Sequence, residues 1–329
     1  MGDFPLPIRT SADKPYDEAW PRELSRRARS GELLRIRHGC YVDAQDWRLL
    51  EDEERYRGML AAMVRTARRT PLFGAETAGV LWGFPRPDLP SDVQMIVPVG
   101  SGRRSSNGVR RITRDPYLST PVALDHGMQV TDKVQTAVDL ALIYDFPWAV
   151  AVMDRLLNTK PLPVENRRRP VGKAEVEECV ALLPSGAKRR KARRVLQFSD
   201  GRAMYPGESL SRVHIAELGF PEPDLQYSVM DEMGLAAVVD FWWKDYALVG
   251  EFDGRGKYQK PEYMNGRTAS QVVIDEKNRE NRVRATGKNV VRWEWREATG
   301  PQLLARELTR AGLPRSSRRP SEVGRGGRE

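Results

Sequence analysis

"LAAVVDFWW" (235–243) and "YALVGEFDG" (246–254) are two apolar runs interrupted by Asp240, Glu251 and Asp253. Such short apolar runs, rich in Val, Phe and Trp, predict a pair of β-strands, with the polar pair Lys244-Asp245 as their turn. That turn sets Trp243 opposite Tyr246 and Asp240 opposite Val249, so Asp240, Glu251 and Asp253 project from one face. Elsewhere apolar positions recur at the period of a helix. Leu49, Leu50, Tyr56, Met59, Leu60, Met63 and Val64 predict a helix within 48–69. "FGAETAGVLWGFP" reads as a small-residue helix closed at Gly83, and "VTDKVQTAVDLALIY" as one opened by Asp132 and Gln135 at capping-box spacing. Further helices are expected over about 207–218, closed by Gly219, and over 271–286. Near the start, Pro21 suits the first turn of a helix carrying Arg22, Arg26, Arg27 and Arg29. "LLRIR", a turn at His38-Gly39, and "CYV" then predict a small hairpin. "VQMIVPV" predicts a strand, and "GSGRRSSNGVRRITR" a basic hairpin or loop.

Length divides this pattern. At 329 residues the chain suits two or three cores, and a hydrophobic share of 40% is enough to pack them. The expected layout is a loose lead over 1–20, a winged-helix-like segment over 21–47 and a small α/β region over 48–157. A basic connector (158–200), a mixed α/β domain (201–312) and a basic, disordered tail (313–329) follow. Two distant cysteines, Cys40 and Cys179, form no CxxC pattern, so no disulfide framework or zinc site is read. "MGDFPLPIRTSADK" is not a signal peptide, and no apolar run nears the ~20 residues of a membrane span, so the chain reads as cytoplasmic, with no membrane partner.

Charge narrows the partners. The formal net charge is +9, and residues 160–194 hold eleven Lys/Arg against four Glu. Such a run is either a solvated face or a stripe that neutralises phosphates. On the second reading DNA is the partner, contacted by Arg26 and Arg27 of the first helix and by Arg189, Arg190, Lys191, Arg193 and Arg194. Arg279, in "EKNRENRVR", is a further candidate phosphate contact.

The three carboxylates on one strand face need a cation. Crowded like charges on a half-buried face repel one another unless a metal ion or Lys/Arg neutralises them. Two or three oxygen ligands with open water positions suit Mg²⁺ (or Mn²⁺). Lys257 in "GRGKY" stands beyond the cluster, and a cation, a water and a lysine are the equipment for phosphodiester hydrolysis. The histidines His38, His126 and His214 lie in separate segments, and no Ser-His-Asp or Cys-His arrangement is legible. Trp242, Trp243, Trp293 and Trp295 read as core residues of strands rather than base-stacking platforms.

Two resemblances follow. "SGELLRIRHGCYV", "AETAGVLWGFP" and "VTDKVQTAVDLAL", in that order, resemble the AbiEi-type antitoxins of type IV toxin–antitoxin systems over about residues 20–155. That likeness implies a winged helix ahead of a compact α/β region, DNA binding, and a cognate toxin protein as partner. Residues 205–300 resemble the PD-(D/E)XK nucleases of the very-short-patch-repair branch. The matching elements are Glu208-Ser209, Asp240, "EFDG" from Glu251, "EKNRE" from Glu276, and "GKNVVRWEW" from Gly287. The resemblance implies a restriction-endonuclease-like mixed sheet flanked by helices. It also implies that Asp240 and Glu251 hold the metal with Glu208 contributing, and that Asp253 and Lys257 complete the catalytic set. In that superfamily a lysine follows the second acid by two residues; here Asp253 occupies the position. The expected function is a divalent-metal-dependent DNA endonuclease. The rival is a non-catalytic DNA-binding antitoxin or autorepressor that keeps the fold.

Overall fold

A computed structural model describes residues 4–100, 105, 108–114, 121–124, 127–160, 169–254 and 269–315. The chain is a mixed α/β protein whose contacts divide it into two units. One comprises residues 1–140 and 160–185, the other 141–159 and 186–329. Among the described residues no helix is long and apolar enough to cross a membrane.

In the first unit, helix α1 (Trp20–Arg29) precedes a three-stranded antiparallel sheet of β1 (Arg9–Thr10), β2 (Leu33–Arg37) and β3 (Cys40–Asp43), with β3 central. Trp20 and Leu24 of α1 bury against Leu33 and Tyr41, and the Trp20 indole donates to the Thr10 carbonyl at 2.8 Å. Residues 4–20 are therefore not the loose lead expected: Ile8 and Trp20 are buried, and β1 adds an edge strand to β3. Gly39, at φ 74°, makes the predicted turn between β2 and β3.

Helices α2 (Ala44–Leu49) and α3 (Asp52–Thr66) replace the single helix read over 48–69. The break falls where Leu50 turns extended, at ψ 146°. A five-stranded sheet follows, of β4 (Leu72–Phe73), β5 (Val93–Val97), β6 (Val109–Thr113), β7 (Pro121–Ala123) and β8 (Gln129–Thr131), in the order β6-β5-β4-β8-β7. β5 and β6 run parallel, with Met95 opposite Arg111, so this basic segment is not a hairpin arm. Helix α4 (Ala75–Trp82) is buried along almost its whole length and closes at Gly83 in the left-handed region, φ 73°. Asp132 caps α5 (Lys133–Ile143) as expected, its carboxylate accepting from the Val134 and Gln135 amides at 3.0 Å each.

Residues 158–200 are not one connector. They hold α7 (Lys173–Ala181), grouped with the first unit, and α8 (Gly186–Phe198), grouped with the second beside α6 (Phe146–Leu157). The apolar residues within the basic run explain this: Val176 and Val180 are buried in α7, and Ala192, Val195 and Leu196 in α8.

The second unit runs α9 (Pro206–Glu217), β9 (Asp224–Asp231), β10 (Gly234–Trp243), β11 (Leu248–Phe252), α10 (Ala269–Ala285), β12 (Asn289–Trp293), α11 (Trp295–Ala298) and α12 (Pro301–Arg310). Its sheet has the order β12-β11-β10-β9. β9 and β11 each run antiparallel to β10, and β12 is parallel to β11 after the α10 crossover. Phe241, Trp243, Leu248, Phe252 and Trp293 pack one core with Ile215 and Leu304, while Trp242 and Val249 pack a second with Val239 and Val283 of α10. Trp295, expected in a core, is 41% exposed. A methyl group on Gly207 would strike the Phe252 ring, so only glycine lets α9 lie this close to β11. Leu313 and Arg315, expected in the tail, belong to the fold: Leu313 is buried and Arg315 donates to the Leu218 carbonyl. The rest of that tail, from residue 316, lies outside the described residues.

Candidate functional site

Strand register puts the carboxylates together. Residues Lys244–Tyr246 form a 3₁₀ turn and Ala247 sits in the left-handed region at φ 44°, so the connection is longer than two residues. Trp243 consequently pairs with Leu248 rather than Tyr246, and Phe241 pairs with Gly250. The displacement is by two residues, which preserves the side-chain face. Asp240 and Glu251 thus share a face as the alternation predicts, and they lie closer together than the shorter turn would allow.

A cavity of about 160 Å³ is lined by Asp240, Glu251, Phe252, Asp253, Glu276, Arg279 and Arg292. Four carboxylates there meet two guanidinium groups. Glu251 is buried, and its Oε1 accepts from Arg279 at 2.6 Å while its Oε2 lies 3.0 Å from Arg292. Arg292 also reaches Glu276 at 2.7 Å and Glu280 at 3.2 Å, and Arg279 reaches Glu276 at 2.9 Å. Burial pushes the Glu251 carboxyl above its ordinary value even though both arginines pull it down. The Nε of Arg292 is buried without a partner among the described residues. Asp240 is held differently: its Oδ2 accepts from the Phe252 amide at 2.9 Å.

Glu208, the first acid of the expected set, is buried in the first turn of α9 and accepts from the Met204 amide at 2.8 Å. Its link to the strand acids is Gln226. The Gln226 side-chain amide donates to Glu208 at 3.1 Å and to Asp240 at 3.3 Å, from a backbone in the left-handed region, φ 52°. A non-glycine residue held there is strained, and the strain positions an amide between two carboxylates. Sequence reading passed over Gln226 because one polar residue in a strand carries no periodic signal. Arg292 and Glu276 were visible only as letters within matched motifs.

Among the described residues no three His, Cys, Asp or Glu side chains are grouped so as to hold a metal ion. The expected ligands are present but partnered: Glu251 by two arginines, Asp240 and Glu208 by Gln226. Asp253 lines the cavity, and its backbone amide donates to the Trp293 carbonyl at 2.8 Å. Lys257 lies outside the described residues.

The expected phosphate contacts divide. Arg27 is held by Glu32 at 2.5 Å and lies 3.8 Å from Glu23, whereas Arg26 is exposed. Lys191 is spent on the fold: its ammonium donates to the carbonyls of Leu142 and Tyr144 at 2.9 and 3.1 Å, capping the end of α5. Arg194 lies over the Phe146 ring at 4.1 Å, and Arg279 is committed to Glu251 and Glu276. Arg190 is exposed, while Arg189 and Arg193 are half-buried and have interactions within the chain.

Replacing the Gln226 amide by a third carboxylate tests this reading of the cluster. Gln226→Glu is expected to cost about 1–3 kcal/mol of stability, because three carboxylates then converge without the bridging donor. The repulsion requires ionised groups, so the loss of melting temperature should be larger at pH 8 than at pH 5. Thermal melts of both proteins at the two pH values check this.

No family model matches the chain. Two proteins from Mycobacterium tuberculosis, Uncharacterized protein MT2308 (strain CDC 1551 / Oshkosh) and Uncharacterized protein Rv2248 (strain ATCC 25618 / H37Rv), are each 27% identical to it over 271 residues. The match covers 79% of this chain and 92% of each relative. Among solved structures, the RV2827C protein from Mycobacterium tuberculosis is similar at a TM-score of 0.37 and 15% identity, over 58% of this chain and 71% of that one.

Proposed function

We propose that this chain is a DNA-binding protein whose second unit is a divalent-metal-dependent, PD-(D/E)XK-type endonuclease, joined to an AbiEi-like first unit. The observation that carries the reading is the cavity lined by Asp240 of β10, Glu251 and Asp253 at the end of β11, and Glu276 of α10. The order α9-β9-β10-β11-α10-β12 supports it, since the five resembling sequence elements fall on that framework in sequence.

The lining offers the type of donor that a hard cation takes. That donor is carboxylate oxygen throughout, and the lining carries two more negative than positive charges. Asp240 and Glu251 would hold Mg²⁺ or Mn²⁺, with Glu208 adjoining through Gln226. When bound, the ion supplies Lewis-acid polarisation of the phosphoryl group and lowers the pKa of a water. The chain's own residues do the positioning. The Phe252 amide orients Asp240, and Arg279 and Arg292 hold Glu251 in place. Asp253, also on the lining, would orient the attacking water.

A second reading has its own support. Glu251 is closed by two guanidinium groups, which neutralise it without a metal, and that favours a non-catalytic DNA-binding antitoxin or autorepressor with a cognate toxin as partner. Plasmid and single-stranded DNA incubated with the protein in Mg²⁺ and in Mn²⁺ separate the two. Cleavage is expected on the first reading. Tight binding without cleavage would leave the repressor standing. Melting curves add a test that needs no turnover: Mn²⁺ at a hundredfold its Kd should stabilise the protein on the order of 2.7 kcal/mol. Asp240→Asn with Glu251→Gln should remove that stabilisation. Identical responses of wild type and double variant to Mn²⁺ would show that the cluster is not a metal site.

A further inference from the structure

The first unit holds a larger cavity, of about 510 Å³, whose wall includes Arg37, Arg68, Arg69, Arg111, Met63 and Met95. Its volume lies in the range of small-molecule sites, roughly 300–1,000 Å³. It is built from three places in the sequence: the end of β2, the chain leaving α3, and the parallel pair β5-β6. The composition of its wall is unusual. Among the described residues four arginines line it and no carboxylate does. Elsewhere in the same unit arginines are neutralised: Asp13 holds Arg65 at 2.6 Å, one turn before Arg69, and Asp139 holds Arg114 at 2.5 Å. Arg37, Arg68 and Arg69 are exposed, and none pairs with a carboxylate among the described residues.

Arg37, Arg68 and Arg69, set around one cavity with no carboxylate partner among the described residues, repel one another, and an anion relieves that repulsion. Arginine rather than lysine throughout favours a planar or tetrahedral oxyanion met by paired N–H donors. Apart from Thr66, the rest of the described wall is apolar. Met63, Pro71 and Val109 are buried, and Met95, half-buried, lies opposite Arg111 across β5-β6. A bare phosphate would leave that surface unused. A phosphate joined to a flat, uncharged ring would use both, with the ring against the methionines and the charge on the guanidinium groups. We infer that this cavity binds a nucleoside phosphate, either a free nucleotide or one nucleotide of a single strand. The site is separate from the carboxylate cluster and does not depend on it.

Calorimetric titration of the full-length protein with a nucleoside monophosphate tests the inference. One-to-one binding is expected, with inorganic phosphate weaker by about tenfold, since it forgoes the apolar wall. Arg68→Ala and Arg69→Ala, both exposed, should each weaken nucleotide binding about tenfold with an unchanged far-UV spectrum. Asp240→Asn should bind the nucleotide as wild type does, whatever becomes of cleavage. A short single-stranded oligonucleotide distinguishes the sources. If it binds tighter than the nucleotide and is displaced by it, the natural ligand is a strand; if it does not, the ligand is a free nucleotide. Absence of nucleotide binding would overturn the inference. So would inorganic phosphate or a poly-glutamate peptide binding as tightly as the nucleotide, or wild-type affinity in both arginine variants.

Discussion

Asp240→Ala is expected to bring DNA cleavage down to background, a loss of roughly 10³-fold or more, about 4 kcal/mol at the barrier. Asp240 lies at the centre of the cluster. One of its oxygens takes the Phe252 amide, the other the Gln226 amide that also binds Glu208. Its removal therefore takes away a proposed metal ligand and frees a backbone donor, and the second effect costs stability of about 1–3 kcal/mol by itself. Asp240→Asn separates the two, because its amide oxygen still accepts from Phe252 while the charge is gone. Cleavage should be lost in both variants, with stability lost mainly in the alanine. Lys257→Ala should leave a measurable remnant, since an outer positioning group is worth less than a ligand. The readout is conversion of supercoiled plasmid in Mn²⁺ with each protein purified identically. Nicking that persists in Asp240→Asn at the wild-type rate would belong to a contaminant and would defeat the proposed activity.

The second large effect is structural. Arg212→Ala should destabilise the second unit by about 3–5 kcal/mol, because it strands Asp154 in the interior. Asp154 is 1% exposed, and both its oxygens lie within 3.0 Å of the Arg212 guanidinium, with the Asp200 amide donating to it at 2.7 Å. Burial already pushes the Asp154 carboxyl above its ordinary value, against the pull of Arg212, and removing the arginine pushes it further. The sign of the pH dependence follows. A carboxyl raised in the folded state contributes its stability below the unfolded pKa and loses it as pH rises through the folded one. The deficit of Arg212→Ala should thus shrink toward acid pH and grow toward neutrality. Adding Asp154→Asn should recover part of the loss at neutral pH. Denaturant unfolding of the three proteins at acid and neutral pH measures it; a deficit independent of pH would mean that the stranded charge is not the cause.

How far the site was legible depends on the distance in sequence over which each contact forms. Alternation of side chains along the strands of 235–254 is a local property, and it put Asp240 and Glu251 on one face even with the turn read two residues too short, because an even slip leaves the faces unchanged. Helix ends were equally local: Asp132, Gly83 and Gly219 act on their own backbone. The opposite case is the basic run at 160–194. Its charge count was plain, yet its division between two units rests on where Val176, Val180, Val195 and Leu196 find partners. Lys191 looked like a phosphate contact until the end of α5 turned out to lie under its ammonium.

The partners of the carboxylates were invisible for the same reason. Gln226 stands 18 residues from Glu208 and Arg279 stands 28 from Glu251. No spacing rule connects such pairs, and only the stacking of α9, the sheet and α10 brings them within a hydrogen bond. The four-arginine cavity makes the point from the other side. Arg37, Arg68, Arg69 and Arg111 belong to three unrelated stretches, each an ordinary charged surface residue in isolation. Period and capping are written in neighbouring residues and so can be read from the chain alone. Whether a charge meets a carboxylate, a carbonyl or an open cavity is decided by segments far apart in sequence, which meet only when the cores close.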